Sequence, residues 1–146
     1  MSRIKILAVG KIKENYILEG IYEYVKRMKN KRLEIIELKD STKEEECNYI
    51  LEKFKKLKGY ITISLDEHGK ELTSIEFAEF IKRIKLKDIV FIIGGPDGLN
   101  KPILDKVDYK ISLSRMTLTH EMARLFLIEQ IYRAFTIIEG KRYHRE

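Results

Sequence analysis

Ile89-Val90-Phe91-Ile92-Ile93-Gly94-Gly95-Pro96-Asp97-Gly98 is the stretch on which the fold turns. Five consecutive β-branched or aromatic residues leave no polar position for a solvent face, so they read as a strand covered on both sides, as in parallel sheets. Three glycines within five residues follow at once. Glycine lets the backbone approach a ligand closely or adopt a positive φ, and Pro96 stiffens the turn. Irregular loops at the carboxyl ends of strands are where an α/β sheet builds its ligand site. Pro-Asp-Gly by itself is an ordinary tight turn; the two preceding glycines are what raise a ligand loop to an equal reading. No Gly-Lys-Ser/Thr follows, so this is not a P-loop, nor is it Gly-x-Gly-x-x-Gly.

Outward from this strand, short β-rich runs alternate with helical patterns. Ile4 to Val9, Leu33 to Leu38, Tyr60 to Leu65 and Tyr109 to Leu113 are the other predicted strands. Residues 14–28, 42–57, 73–85 and 119–138 carry apolar positions at helical spacing. Thr42 with Glu45 and Thr73 with Glu76 have the spacing of capping boxes, and Thr119 is the N-cap expected for the longest helix. Strand and helix in alternation predict an α/β fold, a mostly parallel sheet flanked by helices. Neither repeats nor a linker divide the chain, so residues 1–146 are expected to form a single domain.

The net charge of +6 is carried by the first 32 residues, where nine Lys or Arg oppose three Glu. Such a patch favours a polyanionic partner, although a solvated lysine-rich face has the same composition. Cys47 is the single cysteine and sits in a helical pattern, as a small buried apolar residue would; a reducing, cytoplasmic setting is expected. No apolar run reaches membrane-spanning length and Ile4 to Val9 is too short for a signal core, so no membrane association is expected.

Three further stretches carry polar chemistry. Leu65-Asp-Glu-His-Gly69 reads as a polar turn closing the third strand; with only His68, His120 and His144 in the chain, no metal site is expected. Leu113-Ser-Arg-Met-Thr-Leu-Thr-His120 lies between the last strand and the long helix, and Met116 and Leu118 suit the wall of a slot for a flat ring. Glu129 and Arg133 stand at the spacing of an i,i+4 ion pair. The chain ends on the basic, aromatic Lys141-Arg-Tyr-His-Arg145, for which packing offers no reason.

Taken together, Ile93-Gly-Gly-Pro-Asp-Gly-Leu99, Leu113-Ser-x-Met-Thr-Leu-x-His120, Ala123-Arg124, Glu129-Gln-x-Tyr-Arg-Ala134 and Tyr143-His-Arg145 resemble the large-subunit rRNA methyltransferase H (RlmH, YbeA-type) family of the SPOUT superfamily. Ile6-Leu-Ala-Val-Gly-Lys11 and Leu65-Asp-x-x-Gly69 fit as well, so the resemblance spans the chain. Many relatives have Pro where this chain has Thr119. The resemblance implies a deep trefoil knot in the C-terminal third and a homodimer. It implies an S-adenosyl-L-methionine-dependent enzyme that methylates N3 of a pseudouridine in 23S rRNA of the assembled ribosome.

By motif, the cofactor site would use Leu65, Gly94, Gly95 and the run Leu113, Ser114, Arg115, Met116, Thr117 and Leu118. Substrate RNA would meet His120, Arg124, Tyr143, His144 and Arg145. His144 and Arg145 are the catalytic candidates: His144, or alternatively His120, as a base, and Arg145 or Arg124 as a cation that eases loss of the imide proton. An aromatic can stack a base and an arginine can hold phosphate. Methyl transfer needs positioning more than it needs a metal. Tyr132 and Phe135 are candidates for an apolar dimer interface. Two other classes compete. A non-catalytic RNA-binding relative would show a damaged cofactor loop. A flavodoxin-type nucleotide module would need a glycine-rich loop after the first strand, where this chain has Gly10-Lys-Ile-Lys13.

Overall fold

A computed structural model describes residues 3–28, 31 and 33–145; Lys29 and Arg32 of the basic segment lie outside them. The elements run β1 (Ile4–Val9), α1 (Asn15–Arg27), β2 (Leu33–Leu38), α2 (Lys43–Phe54) and β3 (Ile61–Glu71), then α3 (Ser74–Ile84), β4 (Ile89–Ile93), α4 (Lys101–Lys106), β5 (Tyr109–Ser112) and α5 (His120–Ile138). The strands form one sheet in the order β2-β1-β4-β3-β5, and every pairing is parallel.

The buried strands explain the layers. Along β1, Ile4, Ile6 and Ala8 face one core while Leu7 and Val9 face the other. Along β4, Ile89, Phe91 and Ile93 alternate with Val90 and Ile92 in the same way. Side chains that alternate across a pleat supply two apolar faces, so helices are needed on both. Helices α1, α3 and α5 cover the first face and α2 and α4 the second. Cys47 is fully buried in the second layer, as a small apolar residue. From β1 the chain moves outward to β2, whereas from β4 it crosses in the opposite direction to β5. A crevice at the carboxyl ends of the strands opens where such connections diverge.

Three local readings change. Strand β3 does not end at Leu65 but continues to Glu71, with a register jump in which Leu65 and Lys70 both stand opposite Ile111 of β5. Asp66 to Gly69 is therefore looped out of a strand rather than a turn that closes it. The backbones come so close there that a Cβ on Gly69 would lie 2.7 Å from Ile111 N. Helix α4 went unread because six residues are too short to show a period; Asn100 caps it by accepting the Ile103 amide at 3.3 Å. The Thr73–Glu76 capping box is complete. At Thr42 only one half forms, since Glu45 faces Tyr49 and Glu46 instead takes the Ser41 amide. Phe135 belongs to the core, and Tyr132 packs against Tyr24 and Tyr143, so neither is a free apolar face.

Candidate active site

The bulge of β3, the loops after β4 and β5 and the start of α5 enclose a cleft of about 170 Å³. Leu65, Ile93, Met116 and Leu118 give it apolar walls, and Gly94, Gly95 and Gly98 leave backbone on its surface. Apolar walls with a few convergent backbone groups are the ordinary composition of a small-molecule site. Steric crowding rather than unusual dihedrals accounts for two of the glycines. A Cβ on Gly94 would sit 3.0 Å from the Gly98 backbone and from Leu99 Cδ2, and one on Gly95 would sit 2.6 Å from Glu46 Oε1. Of these three, only Gly98 takes a positive φ, +79°. Its amide donates to the Gly95 carbonyl at 2.9 Å and closes the turn around Pro96 and Asp97.

The opposite wall is shaped by hydroxyls. Ser112 Oγ donates to the Ser114 carbonyl at 2.9 Å, and Ser114 Oγ accepts the Met116 amide at 3.0 Å. Thr119 then caps α5 by accepting the Met122 amide at 3.1 Å. Glu121, in the first turn and buried, accepts the Lys13 and Glu14 amides at 3.0 and 3.1 Å. The β1–α1 loop is thereby tied to the wall of the cleft.

Of the residues expected at the cofactor, Leu65, Gly94, Gly95, Leu113, Ser114, Met116, Thr117 and Leu118 line this cleft, with His120 beside them. Arg115 does not: it points to solvent and pairs with Glu71 at 3.5 Å. Arg124 is corrected as an RNA contact, being 2% exposed. Its guanidinium donates to Glu37 at 2.5 Å and to the Gly10 carbonyl at 2.8 Å, which makes it a tie between α5 and the ends of β1 and β2. The sequence could not separate a buried arginine from an exposed one on a helix with two apolar flanks.

Tyr143, His144 and Arg145 lie elsewhere. Gly140 turns the chain with φ +70°, and the Lys141 amide donates back to the Thr136 carbonyl at 2.8 Å. This is the Schellman pattern at a helix end. The tail then folds along α5, where the Tyr143 hydroxyl donates to Glu129 Oε2 at 2.6 Å and stands 3.2 Å from the Tyr24 hydroxyl. Burial first, and then the hydrogen bonds to Glu129 and Tyr24, push the Tyr143 phenol far above its ordinary range. Arg133 pairs with Glu129 at 2.7 Å, as the i,i+4 spacing predicts, and lies over the Tyr143 ring at 4.8 Å. The hydrogen bond to Glu129 raises the Arg133 pKa further, so its charge is permanent. Arg133 also approaches His144 Nδ1 at 3.0 Å. Since guanidinium only donates, Nδ1 accepts and the neutral ring carries its proton on Nε2. In this arrangement Nε2 is the ring nitrogen left to make a further contact.

From His120 in the cleft to Arg133 in this clasp is thirteen residues of helix, about 20 Å. The two halves of the expected site are thus apart within one subunit. Sequence reasoning missed Asp66 and Glu67, which line the cleft mouth because of the β3 bulge, and Glu46, which reaches Gly95 from α2. A buried carboxylate on a charged helix leaves no periodic signal. Among the described residues, no three His, Cys, Asp or Glu side chains group to hold a metal, and no helix is long and apolar enough to cross a membrane.

The family described as "Predicted SPOUT methyltransferase" matches residues 2–144. A ribosomal RNA large subunit methyltransferase H from Carboxydothermus hydrogenoformans is 45% identical over 157 aligned positions, covering 97% of this chain and 99% of that one. The protein of the same name from Prochlorococcus marinus is 41% identical, covering 99% and 97%. Among solved structures, a probable methylase family protein from Haemophilus influenzae aligns at a TM-score of 0.58 with 15% identity, over 99% of this chain and 71% of that one. The SpoU methyltransferase AviRb from Streptomyces viridochromogenes, in complex with the cofactor AdoMet, aligns at 0.50 with 13% identity, over 96% and 60%. At such identities these two bear on the fold alone, while the family match and the full-length relatives settle ancestry: the chain belongs to the SPOUT methyltransferase family.

Proposed function

We propose that the chain is an S-adenosyl-L-methionine-dependent methyltransferase acting on N3 of a pseudouridine in 23S rRNA of the assembled ribosome, in the cytoplasm. The observation that carries this is the cleft itself. Eight of the nine residues expected at the cofactor from the motif line one cavity at the strand ends, in a chain 45% identical to a relative named for methylating large-subunit rRNA. An intact glycine turn weighs against the non-catalytic alternative, and the lack of a glycine-rich loop after β1 weighs against a nucleotide module.

The residues fit the group. Leu65, Met116 and Leu118 offer an apolar slot for an adenine, and Gly94 and Gly95 keep side chains out of the way of the rest. When bound, S-adenosyl-L-methionine supplies an electrophilic methyl group on a sulfonium. The chain's part is to align the base with it, at high effective molarity. The imide proton must also leave, and it passes to solvent once the anion left on the base is stabilised. His144, with its proton on Nε2, serves by donating to the negative charge that develops on the base. Arg145, exposed at the end of the tail, holds RNA phosphate.

A homodimer belongs to the same proposal, with each tail serving the cleft of the other copy. It is supported by the separation of about 20 Å between cleft and clasp in one subunit. Exposed Tyr16 and Tyr22 on α1 and Met122 and Phe126 on α5 are the apolar groups a second copy would cover. The deep trefoil knot is also part of this reading. Its support is that β5 lies outside β3 while α5 returns to pack on both α1 and α3.

The test mixes two inactive chains. Gly95→Arg blocks the cleft and keeps the tail; truncation after Arg142 keeps the cleft and lacks the tail. Methylation of ribosomes by the co-expressed mixture, and by neither alone, is the expected result. Absence of methylation by the wild-type chain on any ribosomal state would refute the activity. An active wild type with an inactive mixture would confine the tail to its own subunit.

A further inference from the structure

Glu46 is 4% exposed in the first turn of α2, and among the described residues no lysine, arginine or histidine forms an ion pair with it. Burying a carboxylate without a cation costs stability that an apolar residue would spare, and its neighbours Cys47 and Ile50 show that the position could be apolar. What the carboxylate touches gives it a purpose. Oε2 accepts the Ser41 amide at 2.8 Å, which fixes the side chain at the head of its own helix. Oε1 lies against Gly95 so closely that even a methyl group there would come within 2.6 Å of it. Gly95 in turn forms the cleft wall and, through its carbonyl, holds the Gly98 amide. A helix on the far face of the sheet therefore reaches through to the turn that lines the cleft.

We propose that Glu46 is a positioning residue for the cofactor: braced on Ser41, it sets the backbone of the Gly94–Gly98 wall and leaves no room for a side chain at position 95 while its carboxylate stays in place. The role rests on the cofactor reading above, and it needs the length and flat shape of the side chain more than its charge. Glu46→Gln keeps both, with a carbonyl for the Ser41 amide. Glu46→Asp keeps the charge but is one methylene too short to span Ser41 and Gly95.

The experiment is calorimetric titration of the full chain with S-adenosyl-L-methionine, at a temperature well below the melting point of each variant. Hydrogen exchange at the Gly98 amide is followed alongside. Glu46→Ala and Glu46→Asp are expected to weaken binding about tenfold and Gln by no more than about threefold. Gly98 should exchange faster in the first two. Gly95→Ala should also weaken binding, and the double variant Glu46→Ala/Gly95→Ala no further than Glu46→Ala, because the vacated space takes the methyl group. A role in stability alone would lower the melting point and leave affinity and Gly98 exchange at wild-type values, and that result overturns the proposal. Additive losses in the double variant overturn it too. Should the folded wild type bind no cofactor, the cofactor reading falls, and exchange at Gly98 still decides whether Glu46 braces the turn.

Discussion

The two ends of α5 are built in opposite ways. At its start, the cleft is made of backbone, glycines and apolar side chains from three separate loops, and little in it depends on charge. Near its end, the clasp of Tyr24, Glu129, Arg133, Tyr143 and His144 is made of side-chain hydrogen bonds and a cation–ring contact among α5, the tail that returns to it and Tyr24 of α1. The first is governed by bulk, the second by hydrogen-bond partners. Substitutions should therefore fail sterically at one end and by lost partners at the other.

Gly95→Arg is the most damaging change, since its side chain meets both Glu46 and the cleft; calorimetry should find S-adenosyl-L-methionine affinity lower by at least about 100-fold. Truncation after Arg142 should cut the methylation rate by about 100-fold or more while cofactor affinity stays within about twofold. A truncated chain with full activity would remove the clasp from the site and break the comparison. Arg124→Met probes neither end but the tie between α5 and the ends of β1 and β2. It strands Glu37 and the Val9 and Gly10 carbonyls, so thermal melts should show a loss of about 3 kcal/mol, with RNA and cofactor affinity unchanged once folded.

Glu129→Gln sharpens the contrast further. It removes the charge and one of the two oxygens that Tyr143 and Arg133 share, and should lower methylation about tenfold. Proteolysis at Lys141 should become faster, with no change in cofactor binding. The smallest effect is expected beyond the clasp, at Glu139. The hydrogen bond from Lys31 holds its carboxylate below the ordinary value of 4.5. A depressed acid stabilises the fold above that value and loses its contribution as pH falls through the lowered one. The melting temperature of Glu139→Gln should therefore trail the wild type at pH 7 and converge with it in acid, once the pH has fallen through the lowered value.

Sequence patterns carried the cleft far better than the clasp. Ile89 to Ile93 followed by three glycines marks both a buried strand and a close approach, because each demands residue types that few other settings tolerate. The Thr73 box, the Thr119 cap and the Glu129–Arg133 pair were legible for a similar reason: their partners are three or four residues apart. The bulge at Asp66 to Gly69 was not, since a strand that resumes after four residues looks like one that has stopped. Nor was the burial of Arg124 and Glu46, whose partners lie 87 and 49 residues away in Glu37 and Gly95.

By itself, then, the chain's sequence determined the alternation of strand and helix, the two-faced burial of β1 and β4, the glycine turn and its family. All of these follow from local periodicity and from motifs that occupy consecutive positions. Only the tertiary structure decided that His120, at the start of α5, and His144, on the tail folded back along it, stand apart, that Arg124 faces inward, and that Glu46 meets Gly95. Such facts depend on which chain segments cross, and a crossing is fixed by the packing of all the layers at once.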